Sequence, residues 1–306
     1  MKRVVGGRAT APCPLGGSSV PRGDAQGNPW HAEGMSDRVS ITNNDGIVDV
    51  RLNRPDKLNA LDQAMFNAIV EAGEGLKGDP GVRVVVLSGE GRGFCAGLDF
   101  SSFQAMAGDT TKPAAEEGGR SLAAVGDTDG RITHLGQQAC WVWQELDVPV
   151  IAAVHGPALG GGLQIALGAD LRIVAPDAKL SVLEARWGLI PDMTGTVMLP
   201  KLVGLDVAKD LTLTGRMVSG TEAVQLGLAT RTADDPRAAA MELAADLCTK
   251  SPEALREGKR LLNLSGTRPL AEQLLDERVT MGSLIGSPNQ VEATTAYFEK
   301  RPPKFS

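Results

Sequence analysis

Short runs of β-branched residues come first along the chain, and long helical periods come last. Val39 to Thr42 and Ile47 to Leu52 are joined by Asn43-Asn44-Asp45-Gly46. Asn and Gly tolerate positive φ, so the pattern predicts an antiparallel hairpin. Asp62 stands ahead of Met65, Phe66, Ile69 and Val70, which share one face at helical spacing, and Gly78-Asp79-Pro80-Gly81 closes that segment before Val84-Val85-Val86-Leu87. A capped helix and a strand are predicted there. Val148 to Val154 is apolar except for Pro149 and runs into Gly160-Gly161-Gly162 ahead of another apolar stretch, as a buried parallel strand feeding a helix would. Asp170 to Val174 and Lys179 to Val182 read as further strands. From Gly195 onward the period is helical, with segments predicted near 195–202, 205–214, 219–226, 236–250, 252–264, 269–285 and 288–300, and one strand between them at Leu228 to Thr232. The last helices carry apolar residues on more than one face, and such a helix buries the second face against its own core or another subunit.

Composition narrows the function classes. At 306 residues, 42% apolar and 22% charged, the chain has the makeup of a globular protein with one large core and room for an appendage. A net charge of −6 gives no general attraction to phosphate backbones or anionic lipid, which argues against nucleic-acid and membrane partners. Cys13, Cys95, Cys140 and Cys248 stand in no metal-ligand spacing and the three histidines are scattered, so no metal is expected and the thiols are read as reduced, in the cytoplasm. No run approaches the roughly 20 apolar residues of a membrane span. Residues 4–34 are rich in Gly, Pro, Ser and Arg and lack the apolar stretch of a signal peptide. Composition changes at Met35, so 1–34 is expected to be a disordered extension and Met35 an alternative start. The segment between Ala107 and Asp129, rich in Gly, Thr, Asp and Glu, is too long for an ordinary connection and reads as a flap.

Two glycine-centred segments carry candidate chemistry. Gly91-Arg92-Gly93-Phe94-Cys95-Ala96-Gly97-Leu98-Asp99 and Ala158-Leu159-Gly160-Gly161-Gly162 each expose backbone N–H groups. Brought together, two such amides grip one oxygen and stabilise the charge that develops on a carbonyl. Taken singly, each segment is equally well a tight turn.

The combination of Leu52-Asn53-Arg54-Pro55-Asp56-Lys57-Leu58-Asn59-Ala60-Leu61, Gly93 to Asp99, Val150-Ile151-Ala152-Ala153-Val154-His155-Gly156-Pro157-Ala158 with its glycine triplet, and the ending Phe298-Glu299-Lys300-Arg301 closely resembles the crotonase family, which includes the enoyl-CoA hydratases and isomerases. The resemblance runs in order from about Ser40 to Phe305. It implies an α/β fold, a crotonase-like spiral of ββα turns over 35–232, followed by a helical oligomerisation region over 233–306 that builds trimers or dimers of trimers. It also implies an acyl-CoA thioester substrate, with coenzyme A part of that substrate and no separate cofactor. Carried over by position, the oxyanion hole is formed by the N–H groups of Leu98 and Gly161. Lys57, Leu58 and Lys300 are the corresponding CoA contacts, Lys300 from a neighbouring subunit, and the Ala96 and Leu98 carbonyls receive the adenine amino group.

The resemblance leaves the reaction to the carboxylates. Hydratases of the family use two glutamates. At the first of those positions this chain has Gln164, which hydrogen-bonds water but does not exchange a proton at neutral pH; at the second it has Glu184. Asp192 stands where relatives that move double bonds, and some dehalogenases, carry an acid. Alone it is equally a helix cap. Glu184 is either the partner acid or base, with a pKa raised by an apolar pocket, or a loop anchor. His134 lies near the position of a histidine in chlorobenzoyl-CoA dehalogenases but out of register, and a surface or helix-packing role fits it better. Cys95 lacks a neighbouring base and reads as a small buried thiol. Trp141 and Trp143 read as helix packing ahead of an acyl-pocket role. The favoured expectation is a double-bond isomerase using Leu98, Gly161, Asp192 and Glu184. Enoyl-CoA hydratase is the runner-up, and a CoA-thioester-binding or assembly protein without catalysis is the rival from another class.

Overall fold

Asn43 closes the first hairpin by accepting the Gly46 N–H at its Oδ1 (3.0 Å), while Asp45 and Gly46 take positive φ. The computed structural model describes residues 37–99, 128 and 130–306. The expected disorder of 1–34, the start at Met35 and all but residue 128 of the 107–129 flap lie outside those residues. Strand β1 (Val39–Asn44) pairs antiparallel with β2 (Ile47–Leu52), and β2 pairs parallel with β3 (Val84–Gly89). Between β2 and β3 runs helix α1 (Gln63–Leu76), capped by Asp62, whose side chain accepts the Met65 N–H at 2.8 Å.

Helix α2 (Leu135–Glu145) precedes β4 (Val150–Val154), β5 (Pro157–Leu159) and α3 (Gly161–Leu167). These three are one turn of the spiral, and β6 (Leu171–Val174), β7 (Lys179–Ser181) and α4 (Gly195–Val203) repeat it. The remaining elements are α5 (Leu205–Thr214), β8 (Val218–Ser219), α6 (Gly220–Gln225), β9 (Arg231–Thr232), α7 (Pro236–Cys248), α8 (Pro252–Leu264), α9 (Leu270–Leu284) and α10 (Pro288–Glu299). Six strands form one sheet in the order β1-β2-β3-β4-β6-β9, parallel beyond the first pair, and β5-β7-β8 form a second.

Strands β3 and β4 are buried along their whole length, as parallel strands covered on both faces must be. One face meets α7, where Val84, Val86, Ile151, Ala153 and Ile173 pack on Ala240 and Ala244. The strand predicted from Val148 begins at Val150. Pro149 has no N–H to give, and its carbonyl instead accepts from Val85 (2.9 Å). The strand predicted at Leu228 to Thr232 shrinks to Arg231–Thr232, because the Arg172 guanidinium takes the Leu228 carbonyl at 2.9 Å and the Thr230 hydroxyl takes the Arg172 N–H at 3.1 Å.

Residues 36–306 form one compact unit. A buried lysine fastens α8 to the spiral. Lys259 Nζ donates to the Trp143 and Val148 carbonyls at 3.0 and 2.9 Å and pairs with Asp170 at 2.8 Å. Asp170 in turn accepts the Val150 N–H at 2.7 Å. Desolvation pushes the Lys259 pKa down and the Asp170 pKa up, and their mutual attraction opposes both shifts. Trp143 is fully buried with its indole N–H on the Ala139 carbonyl, and Trp141 lines a groove against α8. Both are helix-packing residues. Among the described residues no helix is long and apolar enough to cross a membrane.

Candidate active site

The site is built first from a polar staple inside an apolar run. Asn59 is fully buried and its Nδ2 donates to the Glu90, Gly93 and Phe94 carbonyls at 3.0, 2.9 and 3.1 Å. Its Oδ1 accepts the Arg54 N–H at 2.8 Å. One side chain therefore ties the 54–60 loop to the first glycine segment. Arg54 closes the other end through an ion pair with Asp99 at 2.6 Å. Sequence reading quoted Asn59 within its motif without giving it a role, though a lone amide between Leu58 and Ala60-Leu61 was the available signal.

The two glycine segments then lie side by side. Cys95 donates to the Pro157 carbonyl and accepts from Leu159, both at 3.0 Å, forming a parallel bridge with Ala158. A Cβ on Gly162 would stand 2.3 Å from the Cys95 carbonyl oxygen, so only glycine permits this approach. Gly97 has φ +88°, and its Cβ would fall 2.6 Å from the Leu159 carbonyl and 3.8 Å from the Gly161 nitrogen. The turn after Gly97 is thereby held against the start of α3. Neither the Leu98 nor the Gly161 N–H has an acceptor among the described residues, and the Ala96 and Leu98 carbonyls receive no hydrogen bond from them. Leu98 and Gly161 both line one cavity of about 370 Å³.

Beside this backbone floor stand the acids, with Glu184 Oε1 only 3.4 Å from where a Cβ on Gly160 would lie. Glu184 opens a 3₁₀ turn, Glu184–Trp187, and Asp192 sits in the loop before α4; both line the same cavity, together with Gln164 and the apolar Leu61, Phe66, Leu189 and Met193. Glu184 is buried, with Oε1 accepting from Gln164 Nε2 at 2.6 Å and Oε2 without a hydrogen-bond partner. Burial raises the Glu184 pKa above the ordinary 4.5; its own backbone N–H and the Gln164 amide pull it back, and Asp192 pushes it up again. Burial likewise raises the Asp192 pKa, opposed by its own backbone N–H and by His134. Asp192 is not the helix cap, since Thr194 occupies that position and no side chain caps the end. Among the described residues the side-chain hydrogen bond that Glu184 accepts comes from Gln164, beside that of its own backbone N–H.

Other sequence candidates fall outside the reacting centre. His134 caps α2, its Nδ1 accepting the Gly136 N–H at 3.1 Å. The Cys95 thiol donates to the Asn59 carbonyl, and burial pushes its pKa up to about 12, which leaves it no thiolate at neutral pH. Leu58 has positive φ and its carbonyl holds the Ala96 N–H at 2.9 Å, beside the exposed Lys57. Lys300 is exposed at the C-terminus of α10. It is not among the described residues that line the cavity. No three His, Cys, Asp or Glu among the described residues cluster as metal ligands.

The arrangement can hold an oxygen on two amides and move protons with two carboxylates of raised pKa, in a mostly apolar chamber. Known proteins resemble the chain over most of its length. Enoyl-CoA hydratase domain-containing protein 2, mitochondrial, of Mus musculus is 33% identical over 269 residues, which is 86% of this chain and 85% of that protein. Methylglutaconyl-CoA hydratase, mitochondrial, of Mus musculus is 30% identical over 86% of this chain and 80% of its own length. The crystal structure of enoyl-CoA hydratase from Bacillus anthracis superposes with a TM-score of 0.74 at 28% identity, covering 88% of this chain and 98% of that one. With the enoyl-CoA hydratase/isomerase family matching residues 42–306, and the spiral fold and cavity in place, the chain belongs to the crotonase superfamily of acyl-CoA enzymes, in the enoyl-CoA hydratase/isomerase family.

Proposed function

We propose that the protein shifts a double bond in an enoyl- or dienoyl-CoA by proton transfer. The observation that carries this reading is the pair formed by Glu184 and Asp192 in one cavity, with an amide, Gln164, in place of a further carboxylate. A carboxylate takes an allylic or α proton, and the Leu98 and Gly161 amides hold the thioester oxygen while the electron pair delocalises onto it. A carboxylic acid then delivers a proton to the other end of the conjugated system, restoring the charge state of the pair. Burial raises the pKa of both acids above the ordinary carboxylate values, the direction that favours their carrying a proton. Coenzyme A enters as part of the substrate, with Lys57, Leu58 and a Lys300 supplied by a neighbouring subunit as its proposed contacts.

Hydration is the second reading, favoured by the hydratase names of the relatives. It would leave Glu184 to activate water alone beside the Gln164 amide. Turnover of a 3-enoyl-CoA and of crotonyl-CoA in deuterated water separates the two. Deuterium incorporation with double-bond migration, lost in Asp192→Asn, is expected; rapid formation of a 3-hydroxyacyl-CoA that survives Asp192→Asn defeats the isomerase reading. Thioester binding with neither exchange nor product would instead support the non-catalytic reading.

Assembly into trimers, or dimers of trimers, suits the exposed apolar residues Leu262, Leu270, Leu275, Val279, Ile285 and Phe298 on α8, α9 and α10. A reducing compartment suits the free thiols of Cys95, Cys140 and Cys248, and the cytoplasm supplies one.

A further inference from the structure

Gln164 is almost fully buried and every polar atom of its side chain that faces the site is engaged. Its Nε2 donates to Glu184 Oε1 at 2.6 Å. Its Oε1 accepts two backbone N–H groups, from Met193 and Gly195, both at 2.9 Å. Two N–H donors on one atom identify that atom as the carbonyl oxygen, so the orientation of the amide is decided by its partners. Met193 follows Asp192 directly, and Thr194, between the two bound amides, holds φ +72°, a conformation a β-branched residue keeps only when its surroundings impose it. The turn is moulded to the amide. A Cβ on Gly195 would stand 2.7 Å from Gln164 Oε1.

Resting on the catalytic reading of Glu184 and Asp192 above, we infer that Gln164 is a positioning residue that sets both carboxylates in one register. It holds one oxygen of Glu184 and leaves the other buried without a hydrogen-bond partner, while it clamps the turn that carries Asp192. An ionised glutamate at 164 would still accept the two backbone amides but would have nothing to donate to Glu184. The residue that replaces a carboxylate therefore supplies a link that a carboxylate cannot make.

The clamp also acts on protonation. Around Glu184 the charged or titratable groups are Asp192 from the facing loop, Cys140 from α2, which is coupled to both acids, and Arg186 on the cavity wall, with His134 acting on Asp192. Against them, the Gln164 N–H stabilises the ionised form of Glu184. Removing that N–H moves the Glu184 titration to higher pH whether the group serves as base or acid.

The test compares Gln164→Met and Gln164→Glu with the parent in proton exchange at C2 of a 3-enoyl-CoA, as a function of pH, with circular dichroism to verify folding. Gln164→Met is expected to lower kcat about 100-fold with KM within about threefold, and to move the midpoint of the pH profile upward. Gln164→Glu keeps the acceptor for the turn but adds a second carboxylate beside Glu184, so its midpoint moves higher still while more of kcat survives. If Gln164→Met does not fold, the midpoint of the nearly isosteric Gln164→Glu decides. An unshifted midpoint with parental kcat in a folded variant overturns the clamp. Glu184→Gln and Asp192→Asn are run alongside: activity lost in both but unchanged in the Gln164 variants overturns the clamp alone, whereas full activity in both overturns the catalytic reading and the clamp with it.

Discussion

The floor and the acidic wall of the cavity are made of different material. The floor is backbone, two segments pressed together because Gly97 and Gly162 carry no Cβ, with the Leu98 and Gly161 amides left open. The wall is side chain, Glu184 and Asp192 set in place by a third side chain, Gln164. A backbone floor does not depend on which side chains surround it, because an N–H group is present whatever residue other than proline carries it. A side-chain wall changes with one substitution. The difference teaches where the reaction would be chosen: in the proposed mechanism the floor holds the developing charge, and the wall decides where protons go.

The comparison breaks first at the wall. Glu184→Gln removes a cavity acid that has a buried unpartnered oxygen, and kcat is expected to fall about 10³- to 10⁴-fold with thioester affinity nearly unchanged in equilibrium binding. Parental turnover in this variant would move the proton-transfer role elsewhere.

A control leaves floor and wall alone. Lys259→Met strips the half-buried Asp170 of its ion-pair partner, so chemical unfolding is expected to show a loss of about 3 kcal/mol, with kcat unchanged at temperatures where the variant is folded. A loss below about 1 kcal/mol would mean that Asp170 is served by its bond to Val150 alone.

Damage to the floor comes next. Gly97→Ala meets the Leu159 carbonyl and an unfavourable φ, tilting the Leu98 amide, and kcat is expected to drop about 10²- to 10³-fold for every acyl chain tested. A drop confined to one acyl chain would make the floor a specificity element, against the division drawn above.

The smallest effect concerns pH. The folded pKa of Glu184 lies above its ordinary 4.5, so between those two values the native state holds a proton that the unfolded state releases. Stability contributed by this group is present below 4.5 and is lost as pH rises through the folded value. Glu184→Gln is therefore expected to melt higher than the parent at about pH 8 and no higher at about pH 4. Equal melting differences at both would remove burial as the cause of the shift.

Much of the frame was legible. The Asp62 cap, the hairpin at Asn43 to Gly46 and the helices from Gly195 follow from local rules and appear where the periods put them. Boundaries failed where a distant group competed for a backbone atom, as Arg172 does at Leu228. Strands β5 and β8 escaped notice because three and two residues carry no period. In the site, the motifs located Leu98, Gly161, Glu184 and Asp192. They said nothing of Asn59 as a staple, and they marked Gln164 only as a departure.

By itself the sequence determined the family, the order of elements and the residue types at the cavity, since periodicity, caps and glycine spacing act over a few residues. Tertiary structure decided which partner each polar atom took. That Gln164 spends its amide on Glu184 and on the 193–195 turn depends on α3, the Glu184 turn and the loop before α4 meeting at one point. Hydrogen bonds are short-ranged and directional, so a contact across 20 or 31 residues exists only once the fold has brought its ends together.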